Sequence, residues 1–197
     1  MPFMLRPATP EDAYLLPAIE RSAAQAFLCL PSLAWIAEHT VLSAVEHLEF
    51  VAAGLEWVVV DEQARPVGFV CATAFDRALH IEELAVAREQ QGQGLGRQLI
   101  AAVQRHAEAQ GFDALTLTTF EQVPWNAPFY QRMGFIELTP APTIGYLHDA
   151  LLVEIALGFP AERRCAMALP ACAASRTARR LKRFQWFCLG LTVFCIT

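Results

Sequence analysis

Lysine is almost absent from this chain of 197 residues: of its 15 basic residues only Lys182 is not an arginine. Acids number 20, giving a formal net charge of -5, so the basic footprint of a nucleic-acid binder is missing. The lone lysine lies far from every glycine cluster, and a phosphate loop of the form G-x-x-x-x-G-K-[ST] is thereby excluded. None of the six cysteines forms a C-x-x-C pair, and all sit in apolar surroundings, which speaks against zinc or any other metal and against a secreted disulfide frame. They are expected to be buried free thiols. The first residues lack a basic stretch followed by a long apolar one, so nothing there reads as a signal peptide, and the expected compartment is the cytoplasm. The apolar run Gln185 to Thr197 is too short for a bilayer, so no membrane span is expected.

What the chain does have is glycine in one telling place. Gln91-Gly92-Gln93-Gly94-Leu95-Gly96-Arg97 falls between the apolar run Leu84-Ala85-Val86 and a helical pattern that begins near Leu95. Glycines at every second position let the backbone approach a bound group, and the first helical turn adds unpaired N–H groups and a positive dipole end. That is an anion site, and a pyrophosphate suits it best. A dinucleotide fingerprint G-x-G-x-x-G would need its last glycine at position 97, where Arg97 stands.

Read as Gln91-x-x-Gly94-x-Gly96, the stretch resembles the acetyl-CoA signature Q/R-x-x-G-x-G/A of the GNAT acetyltransferase superfamily. Downstream, Pro124 to Phe135 resembles that family's second hallmark, with Asn126 and Tyr130 in the two polar positions and Gly134-Phe135 opening the next strand. Two motifs in the family's order are far more specific than one. Phe129 and Phe135 are read as core aromatics, Phe129 also lying in the cofactor-side segment.

Thr9 is expected to cap a helix running to about Phe27, with Pro10 at its first position. Two short helices are expected between Leu33 and Ala53, split by the Ser43/Glu46 capping box. Glu56 to Val60, Val67 to Thr73 and His80 to Val86 read as a three-strand antiparallel meander. Leu95, Leu99, Ala102, Val103 and Ala107 line one stripe of a helix that ends at Gly111. Strand Ala114 to Phe120, helix Tyr146 to Leu157 and strand Arg163 to Leu169 complete the order. The resemblance implies an α/β (α+β) GNAT fold: a mixed, mostly antiparallel sheet of about seven strands, splayed between strands 4 and 5 and flanked by helices. One domain over residues 1–170 is expected, followed by a basic and apolar tail, 171–197, read first as a disordered or non-native extension and next as a docking segment.

The resemblance further implies transfer of an acetyl group from acetyl-CoA, with no metal, to a primary amine, preferably of a small molecule. The backbone of Leu84, Ala85 and Val86 would hold the pantetheine. Gln91, Gly92, Gln93, Gly94, Leu95 and Gly96 would cradle the pyrophosphate, with Arg97 adding charge. Asn126 would touch the pantetheine arm, and Tyr130 would act as general acid at the sulfur.

For the base, Glu82 and Glu83 are adjacent on the strand before the loop. Alternation sends them to opposite faces, and Glu83 is preferred because Glu82 shares a face with Leu84 and Val86. His80 is a further candidate, though a structural role suits it better. Glu46, Glu49, Asp76 and Glu121 could border an acceptor cleft, and Trp35 and Trp125 could line one, while Trp57 reads as core. The loop near 139–146 is expected to help choose the acceptor. A protein N-terminus or lysine as acceptor, an acyl-CoA sensor without turnover, and a tight turn that binds nothing are the other readings, and homodimers are frequent in similar proteins.

Overall fold

The computed structural model describes residues 3–138, 145–171 and 195–196. The proline-rich stretch at 140–142, most of the 139–146 loop, Cys172, Cys188 and nearly all of the 171–197 tail lie outside the described residues. Eight strands, β1 (Met4–Pro7), β2 (Glu56–Val60), β3 (Pro66–Phe75), β4 (Ala78–Val86), β5 (Ala114–Phe120), β6 (Ile136–Glu137), β7 (Arg164–Pro170) and β8 (Cys195–Ile196), alternate with five helices. These are α1 (Leu16–Ala24), α2 (Ala44–Ala53), α3 (Leu95–Gln110), α4 (Ala127–Gln131) and α5 (Tyr146–Ala156). The seven strands expected form a mixed sheet in the order β1-β2-β3-β4-β5-β7-β6, and β8 is added beside β4.

The chain divides into two compact units, each with its own packing. In the first, which holds the residues up to Thr73, Glu82–Val103 and β8, β1 and β2 pair antiparallel from Met4 opposite Val60 to Pro7 opposite Trp57. All five residues of β2 are buried, as in a strand covered on both faces. At β3, Gly68 permits close approach to β4: a Cβ there would stand 3.0 Å from the Ala85 carbonyl oxygen and 3.2 Å from Val86 Cγ2. In the second unit, β4 pairs in parallel with β5 over Ala78–His80 and Ala114–Thr116. β5 then runs antiparallel to β7 along all seven of its residues. Leu147 and Leu151 of α5 pack on Ala166 of β7. Within this unit Glu154 is ion-paired with Arg164 at 2.5 Å, both side chains being 2% exposed, and it also accepts from the Thr118 hydroxyl.

Helix starts were legible in part. The Ser43/Glu46 capping box forms in both directions at the head of α2. The long first helix does not form. Thr9 is not its cap, because its N–H and hydroxyl bond the Asp12 carboxylate, which is already held by Arg6 at 2.6 and 2.9 Å. The segment becomes a 3-10 turn at Asp12–Tyr14, then α1 with Pro17 in its first turn, then a second 3-10 stretch at Gln25–Cys29. Cys71 and Cys165 are buried free thiols as expected, but Cys29 is exposed, because it ends that 3-10 stretch with its thiol turned back to the Ala26 carbonyl. Pro31–Glu38 is likewise 3-10 in place of a regular helix.

Glu20 of α1 sits on the helix's buried stripe beside Leu16, Ile19, Ala23 and Ala24, and is 1% exposed. Its carboxylate accepts from the Leu42 N–H at 3.1 Å. Burial pushes its pKa from the ordinary 4.5 up to about 8, against the Leu42 N–H bond and the Arg21 charge, with Glu46 and Glu56 pushing the same way as burial. The folded state therefore holds a proton that the unfolded chain has released above pH 4.5, so this group costs stability as pH rises through 4.5 towards 8.

Two outcomes are expected. Gly68→Val should destabilise the protein by about 1–3 kcal/mol, because the backbone oxygen it meets cannot move aside, and a melting temperature equal to that of the parent would contradict this. Glu20→Gln should be more stable than the parent at pH 8 and flatten the fall in melting temperature between pH 5 and 8. An unchanged slope would show that Glu20 does not carry the extra proton.

Candidate functional site

The first unit carries a continuous strand, turn and helix start. Leu84, Ala85 and Val86 at the end of β4 are all buried. After them Arg88–Gln90 makes a short 3-10 turn, and the glycine stretch leads into α3 at Leu95. Gly92 and Gly94 adopt φ of +77° and +78°, a left-handed conformation that side chains strain to adopt. Their Cβ positions would meet nothing within 4 Å. Gln98 N–H bonds back to the Gly94 carbonyl, which closes the first turn of α3. The amides of Leu95, Gly96 and Arg97 precede it and have no intrahelical acceptor. Leu95 and Gly96 are buried, whereas Arg97 is exposed beside them.

The residue that fixes this turn is Gln91. Its side-chain amide donates to the Val86 carbonyl at 3.1 Å, tying the loop to the end of β4. Arg88 N–H donates to Ser22 Oγ of α1, and the Gln93 amide donates to Gln90 Oε1. The turn is thus braced by its own polar side chains. The residues fit a pyrophosphate: N–H donors at the head of α3, two left-handed glycines, the Arg88 guanidinium bonded to Gln91 Oε1, and the exposed Arg97.

Upstream on the same strand, Glu82 and Glu83 are 8% and 0% exposed. Both strand faces are covered, so alternation does not separate a buried acid from an exposed one. They belong to a larger group that the sequence did not disclose. Cys71 of β3 has its thiol pushed well above the ordinary range by burial, and further by the negative charges of Glu56, Glu82, Glu83 and Glu20. Four acidic residues thus act on one buried thiol. Glu56 and His47 of α2 join through Oε1 and Nδ1 at 2.7 Å, both side chains fully buried, with the edge of Phe69 against the imidazole. Burial raises the Glu56 pKa, and the hydrogen bond from His47 acts against that shift. Glu56 Oε2 and His47 Nε2 have no hydrogen-bond partner among the described residues. An unmade hydrogen bond in such a place costs about 1–3 kcal/mol, so the cluster is a polar pocket of the core held at some expense. The only signal in the sequence was a glutamate opening an apolar strand at Glu56 and another inside the apolar stripe of α1 at Glu20.

The second unit carries α4. Asn126 stands at its head, 1% exposed, with its carbonyl accepting from Phe129 and Tyr130 N–H, while its side chain makes no capping bond. Pro128 in the first turn suits a helix this short. Tyr130 is fully buried between Phe129 and Phe135, whose rings lie 5.0 and 5.4 Å away edge-on or tilted. Phe129 is half-buried. In the same unit His80 is buried, hydrogen-bonded through Nδ1 to Thr116, whose hydroxyl also meets Tyr146. Burial lowers the His80 pKa to about 3, so it stays neutral and is too weak a base to take a proton from an ammonium. That sets it aside as a base. Of the tryptophans, Trp57 is core, Trp125 is half-buried and Trp35 is exposed.

No group of three or more metal-ligating side chains is poised for a metal ion among the described residues, and no helix among them is long and apolar enough to cross a membrane. A model of the acetyltransferase (GNAT) family matches residues 23–135, more than half of the chain and inclusive of both glycine turn and α4. Solved structures share the fold at low identity. The PaiA N-acetyltransferase from Thermoplasma acidophilum, in complex with coenzyme A, aligns with a TM-score of 0.63 at 16% identity over 86% of this chain and 99% of that one. The ribosomal-protein-S18-alanine N-acetyltransferase from Escherichia coli gives 0.58 at 18% identity over 91% and 100%. A phosphinothricin acetyltransferase from Sinorhizobium meliloti, in complex with AcCoA, gives 0.61 at 17% over 91% and 94%. With the family match spanning the braced glycine turn, this chain belongs to the GNAT family of acetyltransferases.

Proposed function

We propose that the protein is an N-acetyltransferase that moves an acetyl group from acetyl-CoA to the primary amine of a small molecule by direct attack. The observation that carries this reading is the glycine turn, braced by Gln91 on the Val86 carbonyl, with two left-handed glycines leading into the head of α3. The amides of Gly92 to Arg97 bind the pyrophosphate, the backbone of Leu84, Ala85 and Val86 bonds the pantetheine arm, and Asn126 adds a contact to it. Acetyl-CoA, when bound, supplies the activated thioester.

The chain's own residues manage the protons. An amine arrives as an ammonium at neutral pH and attacks only when neutral, so a carboxylate must take its proton. Glu83 is assigned this task, with Glu82 next to it as the alternative. The Tyr130 hydroxyl is the donor to the leaving sulfur, for which a phenol of reference pKa about 10 is suited. Acids on β4 at Glu82 and Glu83 favour a cationic acceptor, and the net charge of -5 favours its approach.

Tyr130→Phe should lower kcat by about 10- to 1000-fold while leaving acetyl-CoA affinity within about threefold, read by thiol release and calorimetry. Loss of binding in that variant would contradict the acid role. Gly94→Glu, which puts a carboxylate and a strained side chain in the cradle, should abolish binding. A thermal shift with acetyl-CoA but no thiol release with any amine of a broad panel would leave an acyl-CoA sensor in place of an enzyme.

A further inference from the structure

Strand β4 has two hydrogen-bonding edges. One belongs to β3, as the Ala87 N–H bonded to the Val67 carbonyl at 2.9 Å and the close approach of Gly68 to Ala85 show. On the remaining edge, at Leu84 and Ala85, lies β8, paired in parallel with Cys195 opposite Leu84 and Ile196 opposite Ala85. An open strand edge is a template for another extended chain, and main-chain hydrogen bonds are what such an added strand contributes.

Leu84 and Ala85 are also the residues whose backbone, under the function proposed above, bonds the pantetheine arm. Pantetheine is itself a chain of two amides. It and a peptide strand would satisfy the same N–H and C=O groups, and an edge can bond only one of them at a time. We propose that the 195–196 segment is an intrachain competitor for acetyl-CoA: β8 covers the β4 edge at Leu84 and Ala85, and the cofactor binds only when β8 leaves. This inference rests on the acetyl-CoA reading and adds to it a built-in restraint. A two-residue pairing is short enough to be displaced. The apparent affinity for acetyl-CoA is lowered by the fraction of molecules in which the edge is covered.

The restraint is reciprocal, since whatever weakens the cofactor's grip must be loosened by the cofactor in turn. The test uses the full chain carrying Cys195→Pro and Ile196→Pro, which removes two N–H donors and cannot hold a ladder. Calorimetry with acetyl-CoA should show binding about 3- to 10-fold tighter than in the parent, the factor expected if the edge is covered in roughly 70–90% of molecules. Amide exchange at 195–196 in the parent should quicken when coenzyme A is added to saturation. Equal dissociation constants in the two chains, or exchange at 195–196 unmoved by coenzyme A, would overturn the restraint and leave the acetyl-CoA reading standing. Absence of binding in both chains would overturn both.

Discussion

The hydrogen bond from the Gln91 side chain to the Val86 carbonyl is the constraint on which the site depends. It joins the last residue of β4 to the loop that follows, so the glycine turn has a fixed origin before α3 begins. Without it, Gly92 and Gly94, each in a left-handed conformation, would leave the loop free to sample many shapes. The amides at the head of α3 would then have no set direction. An anion site made of backbone needs rigidity, to which the Arg88 guanidinium adds by bonding Gln91 Oε1. Its electrostatics come from oriented N–H groups and the helix dipole, with Arg97 at the rim.

The same strand ties the turn to the chemistry upstream. β4 is buried along nearly its whole length, and Glu82 and Glu83 lie on it just before Leu84, Ala85 and Val86. Burying carboxylates is costly unless they are protonated, paired or approached by a cation. The first unit shows two of these solutions: Glu20 is held protonated up to about pH 8, and Glu56 is paired with His47. Glu82 and Glu83 act on the same buried Cys71 thiol from β4.

Legibility differed by the kind of signal. Features encoded locally were plain in the sequence: the glycine spacing, the apolar stripe from Leu95 to Ala107, the Ser43/Glu46 box, the alternation of β5, and the Asn126 to Tyr130 segment. What was not plain depends on partners distant in sequence. Thr9 looked like a helix cap, but its N–H and hydroxyl go to the Asp12 carboxylate, which Arg6 also holds, and the first helix breaks. Glu56 looked like the edge of a strand, but His47 nine residues earlier folds onto it. His80 looked titratable, but the packing around it removes its basicity. The pairing of β8 with β4 had no local cue, because a two-residue strand carries no periodicity.

The most direct measurement follows the backbone amides of Gln91 to Arg97 by NMR while coenzyme A is titrated into the labelled protein, with pantetheine alone as the control. The largest shifts are expected at Gly92, Gly94, Leu95 and Gly96 with coenzyme A, and only at Leu84 to Val86 with pantetheine. Shifts elsewhere in the chain, with the glycine turn unmoved by saturating coenzyme A, would contradict the assignment of this turn as the pyrophosphate site.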